Sequence, residues 1–421
     1  MTRFLKLLIA ALFVSLLLCT ASAEEPSLVS ESAVLMDADT GQVLYDKNMH
    51  VQRHPASITK IATVICGLEN GNLSDKITMS EEAVFSVSRN SSHIALDVGE
   101  ELTLEEASYA ALLVSANEAC NGIAEHCGGS IDNFVSIMNQ TAKKAGAKNT
   151  NFVNANGLRD SRHLTTAYDM ACITRYALRN DDFRKIFGTF KYTMAPTNKQ
   201  PEERPWSNQH YMISDPAFHY EGVIGGKVGY TTDALCTLVT AAERDGKTLI
   251  AVVMKCPQDY DRYHDTEKLF DYGFDLFDTV TVTNDDLPTD KAYRLESDFK
   301  VSVRKGTSKS DLSIRVSKED GEYFAIVSDK EGLELAKVSC TVEEKKGPVV
   351  VSLSPEDKPR KISPLAVLGL VVLSIILLFV LFILAIIIRK KIYRALRRYR
   401  RRRKQRMQRM QYTQHTQRRR R

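Results

Sequence analysis

The chain has 421 residues, of which 43% are hydrophobic and 26% charged, so it is neither a small disulfide-stapled protein nor a wholly disordered one. Residues 389–421 carry 17 Lys and Arg and no acidic residue, whereas residues 1–388 carry 40 basic and 52 acidic residues. The body is therefore acidic, at −12, and the tail basic, at +17. The basic total gives no reason to expect nucleic acid as a partner of the body.

The first residues are typical of a secretory signal. Arg3 and Lys6 precede the apolar run 7–18, and the small residues Ala21-Ser22-Ala23 follow it. An uncleaved anchor is the alternative, but twelve apolar residues reach only about 18 Å as a helix, and a hydrocarbon core is about 30 Å thick. We therefore predict a signal peptide at 1–23 and a mature chain beginning near Glu24.

Residues 24–280 are predicted to form one α+β domain. The predicted elements are, in chain order, strands at 33–36 and 42–45, helices at 57–68, 104–126 and 131–145, an irregular stretch at 180–220, strands at 236–242 and 248–254, and a helix at 267–277. Because strands lie at both ends of the domain and helices between them, we expect an antiparallel sheet whose first and last strands meet, flanked by a helical cluster.

Residues 281–355 differ from this pattern and predict a small all-β domain. Short alternating segments separated by turn residues lie at 301–303, 313–316, 323–327, 338–342 and 349–353. Nothing among them suggests catalysis. The proline-containing residues 356–364 are interpreted as a stalk.

The chain then predicts a single membrane crossing. Residues 365–388 contain no charge and no proline over 24 positions, which is about 36 Å as a helix. Arg389-Lys390-Lys391 follows directly, so the positive-inside rule assigns the tail 389–421 to the cytoplasm and the body to the outer side of the cell membrane. We expect the tail to contact anionic lipids, while nucleic-acid or protein binding by the tail is an alternative.

The cysteine and histidine patterns predict no metal and no cofactor. Seven cysteines follow the signal at irregular spacings, without a Cys-x-x-Cys pair, and the nine histidines form no metalloprotease motif. Cys120 and Cys127 are seven residues apart and could share a helical face. Buried thiols are the default interpretation of this pair, and a disulfide or a metal pair is the alternative.

A Ser-x-x-Lys motif stands at the start of the first predicted helix. On a helix the spacing of Ser57 and Lys60 brings the hydroxyl and the amine to one face. A buried lysine near another cation has a lowered pKa and can act as a base toward a serine. The same spacing recurs at Ser297–Lys300 and Ser302–Lys305, so position in the fold must distinguish them. Only Ser57 lies at a predicted helix start.

Two further triplets follow in a characteristic order. Ser115-Ala116-Asn117 begins 58 residues after Ser57, and Lys227-Val228-Gly229 begins 112 residues after Ser115. This order matches the Ser-x-x-Lys, Ser-x-Asn and Lys-Thr-Gly set of penicillin-binding proteins and class A β-lactamases. Ser88-Arg89-Asn90 lies only 31 residues after Ser57 and fits poorly.

From about residue 32 to residue 277 the chain resembles the D-alanyl-D-alanine carboxypeptidases among the low-molecular-mass penicillin-binding proteins. These are serine peptidases of the β-lactamase/transpeptidase-like superfamily. The stretches that carry the resemblance are Pro55–Lys60, Val114–Ala119, Thr150–Leu158, His163–Ala171, Gly225–Thr231 and Asp271–Phe274. The resemblance implies a wall enzyme of peptidoglycan biosynthesis and cell shape that removes the terminal D-alanine of stem pentapeptides and is inhibited by β-lactams.

The resemblance also implies roles for four catalytic residues. Ser57 would attack the carbonyl between the two D-alanines and form an acyl-enzyme. Lys60 would be its general base, and Ser115 would relay the proton to the leaving amine. Asn117 would hold Lys60 and bond the substrate amide.

The implied substrate-binding residues lie later in the chain. Lys227 would keep the site positive, and Arg262 would bind the terminal carboxylate. The backbone N–H groups of Ser57 and Tyr230 would form the oxyanion hole.

Val228 departs from the family's threonine and Ala116 from its frequent glycine. A lost hydrogen bond to a carboxylate suggests a cost of about 1.5 to 3 kcal/mol, for which Thr231 or Thr232 would compensate. Val228 therefore keeps a catalytically impaired wall-binding or scaffold module open as an alternative function. A β-lactamase is a second alternative, and recruitment of partners by the tail a third.

Overall fold

A computed structural model describes residues 25–343. The predicted signal peptide, stalk, membrane helix and basic tail lie outside these residues, as does the strand predicted at 349–353. None of the helices within the described range combines the length and the apolar character that crossing a bilayer requires.

A five-stranded antiparallel sheet forms the centre of the fold. Its strands are β1 (Ser32–Asp37), β2 (Val43–Lys47), β7 (Val223–Thr231), β8 (Leu235–Arg244) and β9 (Lys247–Cys256), in the order β2-β1-β9-β8-β7. Ser32 pairs with Met254 and Asp37 with Leu249, so the first and last strands meet as expected. Between β8 and β9, Asp245 and Gly246 have φ angles of 52° and 74°, the left-handed pair that a tight hairpin requires.

Helices and short strands build up the rest of this part of the chain. The helices are α1 (Lys60–Asn70), α2 (Glu81–Phe85), α3 (Leu104–Leu113), α4 (Asn117–Gly128), α5 (Ile131–Lys144), α6 (Ala167–Ala177), α7 (Asp181–Gly188), α8 (Tyr211–Ser214) and α9 (Asp261–Leu276). Two small hairpin-like pairs lie between them, β3 (Lys76–Thr78) with β4 (Glu101–Thr103), and β5 (Lys191–Met194) with β6 (Arg204–Ser207).

Both faces of the central sheet are buried. Along β1, Val34 and Met36 belong to the core that contains α1 and α3, whereas Leu35 packs on the other face with Phe270 of α9. Successive strand residues point to opposite faces, so a strand covered on both sides is apolar throughout. The result is a sheet between two helical layers, and the predicted α+β arrangement is confirmed for this part.

The prediction of one continuous helix over 104–126 was wrong. The chain leaves the helix after Leu113 and resumes it at Asn117, and Ser115 between them has a φ of 64°. The break is hard to see in the sequence because the apolar pattern continues across it and no glycine or proline marks it. A non-glycine residue in this region of φ is uncommon and often functional.

The stretch 180–220 is also more regular than predicted. It contains α7, whose N-cap Asn180 accepts a hydrogen bond from the backbone N–H of Phe183, and Phe187 of α7 is fully buried. The edge strand β7 was not predicted either. Its glycines have low strand propensity, yet a Cβ at Gly225 would lie 2.2 Å from the Phe187 ring, so only glycine fits there.

Residues 277–343 form two further sheets. They contain β10 (Phe277–Val282), β11 (Ala292–Leu295), β12 (Phe299–Arg304), β13 (Ser313–Glu319), β14 (Glu322–Ser328) and β15 (Glu334–Glu343), paired as β10-β12 and β11-β15-β14-β13. Ser302 of the second Ser-x-x-Lys spacing is buried and donates its hydroxyl to Asp37. Its role is therefore to tie β12 to the central sheet.

Candidate active site

Ser57 lies in a tight turn beside strands β7 and β8 of the central sheet. The turn is a 3-10 segment over Ala56–Thr59, and the α-helix begins only at Lys60, three residues later than predicted. Ala56 has a φ of 52°, a strained conformation for a residue with a Cβ. The hydroxyl of Thr237 on β8 donates to the carbonyl of Pro55 at 3.0 Å and ties the turn to the sheet.

Lys60 is fully buried beneath Ser57. Its Nζ donates to Ser57 Oγ at 3.0 Å, to Asn117 Oδ1 at 2.7 Å and to the carbonyl of Asn156 at 2.5 Å. Three acceptors use all three protons of the ammonium. Burial lowers the pKa of Lys60 to about 8, against smaller opposing effects of Cys120 and Glu118, so both protonation states are accessible near neutral pH.

Asn117 reaches the site from the break between α3 and α4, in which Ser115 lies. Both side chains are buried, and Asn117 is the first residue of α4. The left-handed backbone at Ser115 lets the chain change direction there. The backbone N–H of Asn117 donates to the carbonyl of Ser92 at 3.0 Å. The loop that contains Ser88-Arg89-Asn90, the triplet whose spacing fitted poorly, therefore supports Asn117 through its backbone.

Lys227 enters from β7 and is only 1% exposed. Within the described part of the chain its Nζ has no hydrogen-bond partner. Burial lowers the pKa of Lys227 well below its usual value, and the positive charges of Lys60 and Arg262 lower it further. A buried ammonium without a partner is costly, and the cost falls when an anion binds beside it.

The remaining residues of β7 divide between the two faces of the sheet. A Cβ at Gly229 would lie 2.9 Å from the backbone nitrogen of Ser57, so this strand passes directly beside the turn. Val228 packs instead against the apolar cluster beneath α9, and Tyr230 is 64% exposed. Thr231 accepts a hydrogen bond from the backbone N–H of Ala234 at 3.1 Å, which orients its hydroxyl and leaves the O–H proton for another acceptor.

Arg262 joins the site from the first turn of α9. It is 6% exposed, and its Nη1 donates to the carbonyls of Gly229 at 3.1 Å and Thr237 at 3.2 Å. Its Nη2 forms an ion pair with Asp259. The helix begins six residues before the predicted start, and this earlier start places Arg262 against β7.

His163 was not singled out as a site residue, although it supports the Ser57 turn. Its Nδ1 accepts from the backbone N–H of Val153 at 3.1 Å, so Nε2 carries the proton and donates to Thr59 Oγ1 at 2.9 Å. Thr59 in turn donates to the carbonyl of the strained Ala56 at 2.8 Å. Burial lowers the pKa of His163 to about 4 and keeps this arrangement neutral.

The described cysteines form no disulfide, and the described acidic residues form no metal-binding cluster. The seven thiols at 66, 120, 127, 172, 236, 256 and 340 are all free, and Cys120 is buried. In the part of the chain that the structure covers, no group of three or more His, Cys, Asp or Glu could hold a metal ion. The chemistry available here is that of a hydroxyl next to a buried amine, with two further cations nearby.

Comparison with known proteins agrees with this geometry. The family model described as D-alanyl-D-alanine carboxypeptidase matches residues 19–258, which contain Ser57, Lys60, Ser115, Asn117 and Lys227. The D-alanyl-D-alanine carboxypeptidase DacF of Bacillus subtilis (strain 168) is 35% identical over 287 residues, covering 66% of this chain and 69% of the relative. The chain belongs to the D-alanyl-D-alanine carboxypeptidase family.

Solved structures agree on the fold. Penicillin binding protein 5 from Haemophilus influenzae is 26% identical with a TM-score of 0.66, covering 76% of this chain and 98% of that one. The Streptomyces K15 DD-transpeptidase is 30% identical with a TM-score of 0.56, covering 60% of this chain and 100% of that one. The predicted family, the serine-peptidase class and the mixed α/β fold are thus confirmed.

Gly157 provides a test of how tightly the Ser57 turn is supported. Its φ is +84°, and a Cβ there would lie 2.0 Å from the carbonyl oxygen of Ala56. We expect Gly157→Ala to displace the turn and to slow acylation of Ser57 by a penicillin at least tenfold, as measured by intact mass against time.

Gly129→Ala is the matched control. Gly129 has a similar φ of +73°, but a Cβ added there would have nothing within 4 Å. The control therefore shares the backbone strain of about 1 to 2 kcal/mol without the clash. Equal acylation rates in the two variants would contradict a tightly packed Ser57 turn.

Proposed function

We propose that the chain hydrolyses the terminal peptide bond of peptidoglycan stem pentapeptides that end in D-Ala-D-Ala, through an acyl-enzyme on Ser57. The observation that carries this proposal is the 3.0 Å contact between Lys60 Nζ and Ser57 Oγ. Because burial lowers the pKa of Lys60 to about 8, a usable fraction of the amine is neutral near pH 7. Neutral Lys60 can take the proton of the Ser57 hydroxyl as it attacks.

The attack forms a bond from Ser57 Oγ to the carbonyl carbon of the penultimate D-alanine. The backbone N–H groups of Ser57 and Tyr230 are the proposed donors to the resulting oxyanion. The proton held by Lys60 then passes through Ser115 to the departing nitrogen, and the C–N bond breaks. Water repeats the sequence on the ester and regenerates the Ser57 hydroxyl. Asn117 keeps Lys60 in place through both halves.

The C-terminal carboxylate of the substrate is assigned to the positive end of the site. Lys227 is buried without a partner among the described residues, and Arg262 lies beside Gly229 at 3.1 Å. Thr231 borders the same end of β7 and is kept as a substrate-binding residue, because its oxygen accepts from Ala234 and its O–H can still donate to a carboxylate in place of the hydroxyl missing at Val228. A β-lactam carries a carboxylate next to its reactive amide and would acylate Ser57 in the same orientation.

The cellular arrangement is proposed from the sequence. A signal peptide at 1–23 would export the body, and a helix at 365–388 would anchor it, with the tail 389–421 in the cytoplasm. Residues 281–355 are proposed as a small all-β domain that carries the enzyme above the membrane, and 356–364 as the stalk. Protease protection of the tail in inverted versus right-side-out vesicles tests this orientation.

The enzyme assignment has a direct test. With the full-length protein in detergent, we expect one penicillin adduct by intact mass and release of D-alanine from a D-Ala-D-Ala peptide. Ser57→Ala should show neither, because no other described serine contacts a buried lysine in this way. An adduct without release of D-alanine would favour a catalytically impaired protein that still forms the acyl-enzyme. A folded protein that gives neither an adduct nor D-alanine would favour a wall-binding or scaffold module.

The role of Lys60 predicts a pH profile. Acylation should rise with pH with a midpoint of about 8, because only the neutral amine, which dominates above its pKa, accepts the proton. The anion of Glu118 raises the pKa of Lys60, so Glu118→Gln should move the midpoint to lower pH. Glutamine can still accept the backbone N–H of Ile94 that Glu118 binds at 2.7 Å.

Glu125→Gln is the control for this profile. Glu125 lies on the same helix α4 but accepts from Ser80 Oγ at 2.8 Å. We expect its midpoint to equal that of the parent. A profile that is flat between pH 6 and 10, or that Glu118→Gln leaves in place, would contradict Lys60 as the base.

A further inference from the structure

Arg262 is held in place by backbone groups on its inner side. Nη1 donates to two carbonyls of the central sheet, Gly229 on β7 and Thr237 on β8. Nε is buried, and within residues 25–343 it has no hydrogen-bond partner. The guanidinium therefore presents only Nη2 to a ligand that comes from solvent, because its other two nitrogens face the protein.

One of the two N–H groups of that nitrogen is already bound. Asp259 precedes Arg262 by three residues and forms an ion pair with Nη2. The two side chains differ in exposure, since 7% of the arginine side chain is exposed but 45% of the aspartate. Asp259 thus lies on the solvent side of the pair, where a carboxylate must approach.

We propose that Asp259 competes with the substrate's terminal carboxylate for Arg262 and thereby determines how strongly the site selects for a free C-terminus. This inference rests on the proposed role of Arg262 as the carboxylate-binding residue. A peptide with a free carboxylate can replace Asp259 on Nη2, exchanging one anion for another. A peptide that ends in an amide has no charge with which to make this exchange, so it gains nothing from Arg262 whether or not Asp259 is bound there.

The local structure allows Asp259 to move while Arg262 stays. Asp259 lies in the short connection between the end of β9 at Cys256 and the start of α9 at Asp261. Its half-exposed carboxylate regains water when it turns outward, which makes its displacement inexpensive. Arg262 cannot follow, because both sheet carbonyls hold Nη1 and the side chain is almost completely buried.

The charges around the site favour such an exchange. Lys60, Lys227 and Arg262 lie close enough together that the two other cations lower the pKa of Lys227. In the absence of substrate, Asp259 supplies a negative charge at the outer edge of this cluster. Replacement of Asp259 by the substrate's carboxylate keeps the balance of charge in a cluster whose Lys227 has no partner of its own in the described chain.

The test compares Asp259→Asn with the parent in the full-length detergent-solubilised protein. Asparagine keeps the size and an acceptor oxygen but removes the competing charge. For a peptide ending in D-Ala-D-Ala we expect KM to fall three- to tenfold while kcat stays within twofold. For the same peptide with a C-terminal amide, the inhibition constant against the acid substrate should stay within twofold of the parent value.

Asp261→Asn is the matched control, because Asp261 is one residue from Arg262 and forms no ion pair with it in the described structure. It removes the same charge, so a similar fall in KM there would reduce the effect to general electrostatics and overturn the proposal. A higher KM or a lower kcat in Asp259→Asn would also overturn it, since Asp259 would then be positioning Arg262 for the substrate.

Arg262→Ala separates failure of this inference from failure of the proposed function. If Arg262 binds the carboxylate, Arg262→Ala raises KM for the acid peptide at least tenfold and leaves the affinity for the amide within twofold. If that holds and Asp259→Asn does not lower KM, only the competition is wrong. If Arg262→Ala leaves KM for the acid unchanged, the assignment of Arg262 is wrong and the inference is overturned with it.

Discussion

Burial of the Lys60 ammonium is the constraint on which the site depends. Removing a charged amine from water is costly, and the cost is smallest when every N–H has an acceptor. Here Ser57, Asn117 and the carbonyl of Asn156 supply them, and each comes from a different part of the chain. The tight turn before α1, the helix break before α4 and the loop after α5 must therefore meet at one point for the fold to be satisfied.

Strain at this meeting point is balanced by packing around it. Ala56 and Ser115 both have left-handed backbone, with φ values of 52° and 64°. The Ala56 turn is held by the hydrogen-bond series from His163 through Thr59, and Gly157 leaves room for the Ala56 carbonyl where any Cβ would collide with it. Such strained residues persist only where the surroundings over-determine them.

The sequence points to the proposed reacting groups more clearly than to the residues that support them. Ser57, Lys60, Ser115, Asn117 and Lys227 stand in a recognisable order, because the chemistry fixes both residue type and approximate spacing. The strand that carries Lys227 was missed, since its glycines are chosen for close contacts with Phe187 and with the Ser57 turn rather than for strand propensity. His163 was missed because its partner Thr59 lies far away in the sequence. Asp259 was missed because its proposed role depends on which side of Arg262 is exposed.

The three cations of the site, Lys60, Lys227 and Arg262, differ in their hydrogen-bond and ion-pair partners. Lys60 donates to three neutral oxygens. It can therefore lose a proton without breaking an ion pair, which suits a general base. Arg262 is held by two carbonyls and by Asp259, so it keeps its position. Lys227 has neither kind of partner among the described residues. Its positive charge is stabilised when an anion binds, and the energy of anion binding is thereby concentrated at the end of β7, next to Ser57.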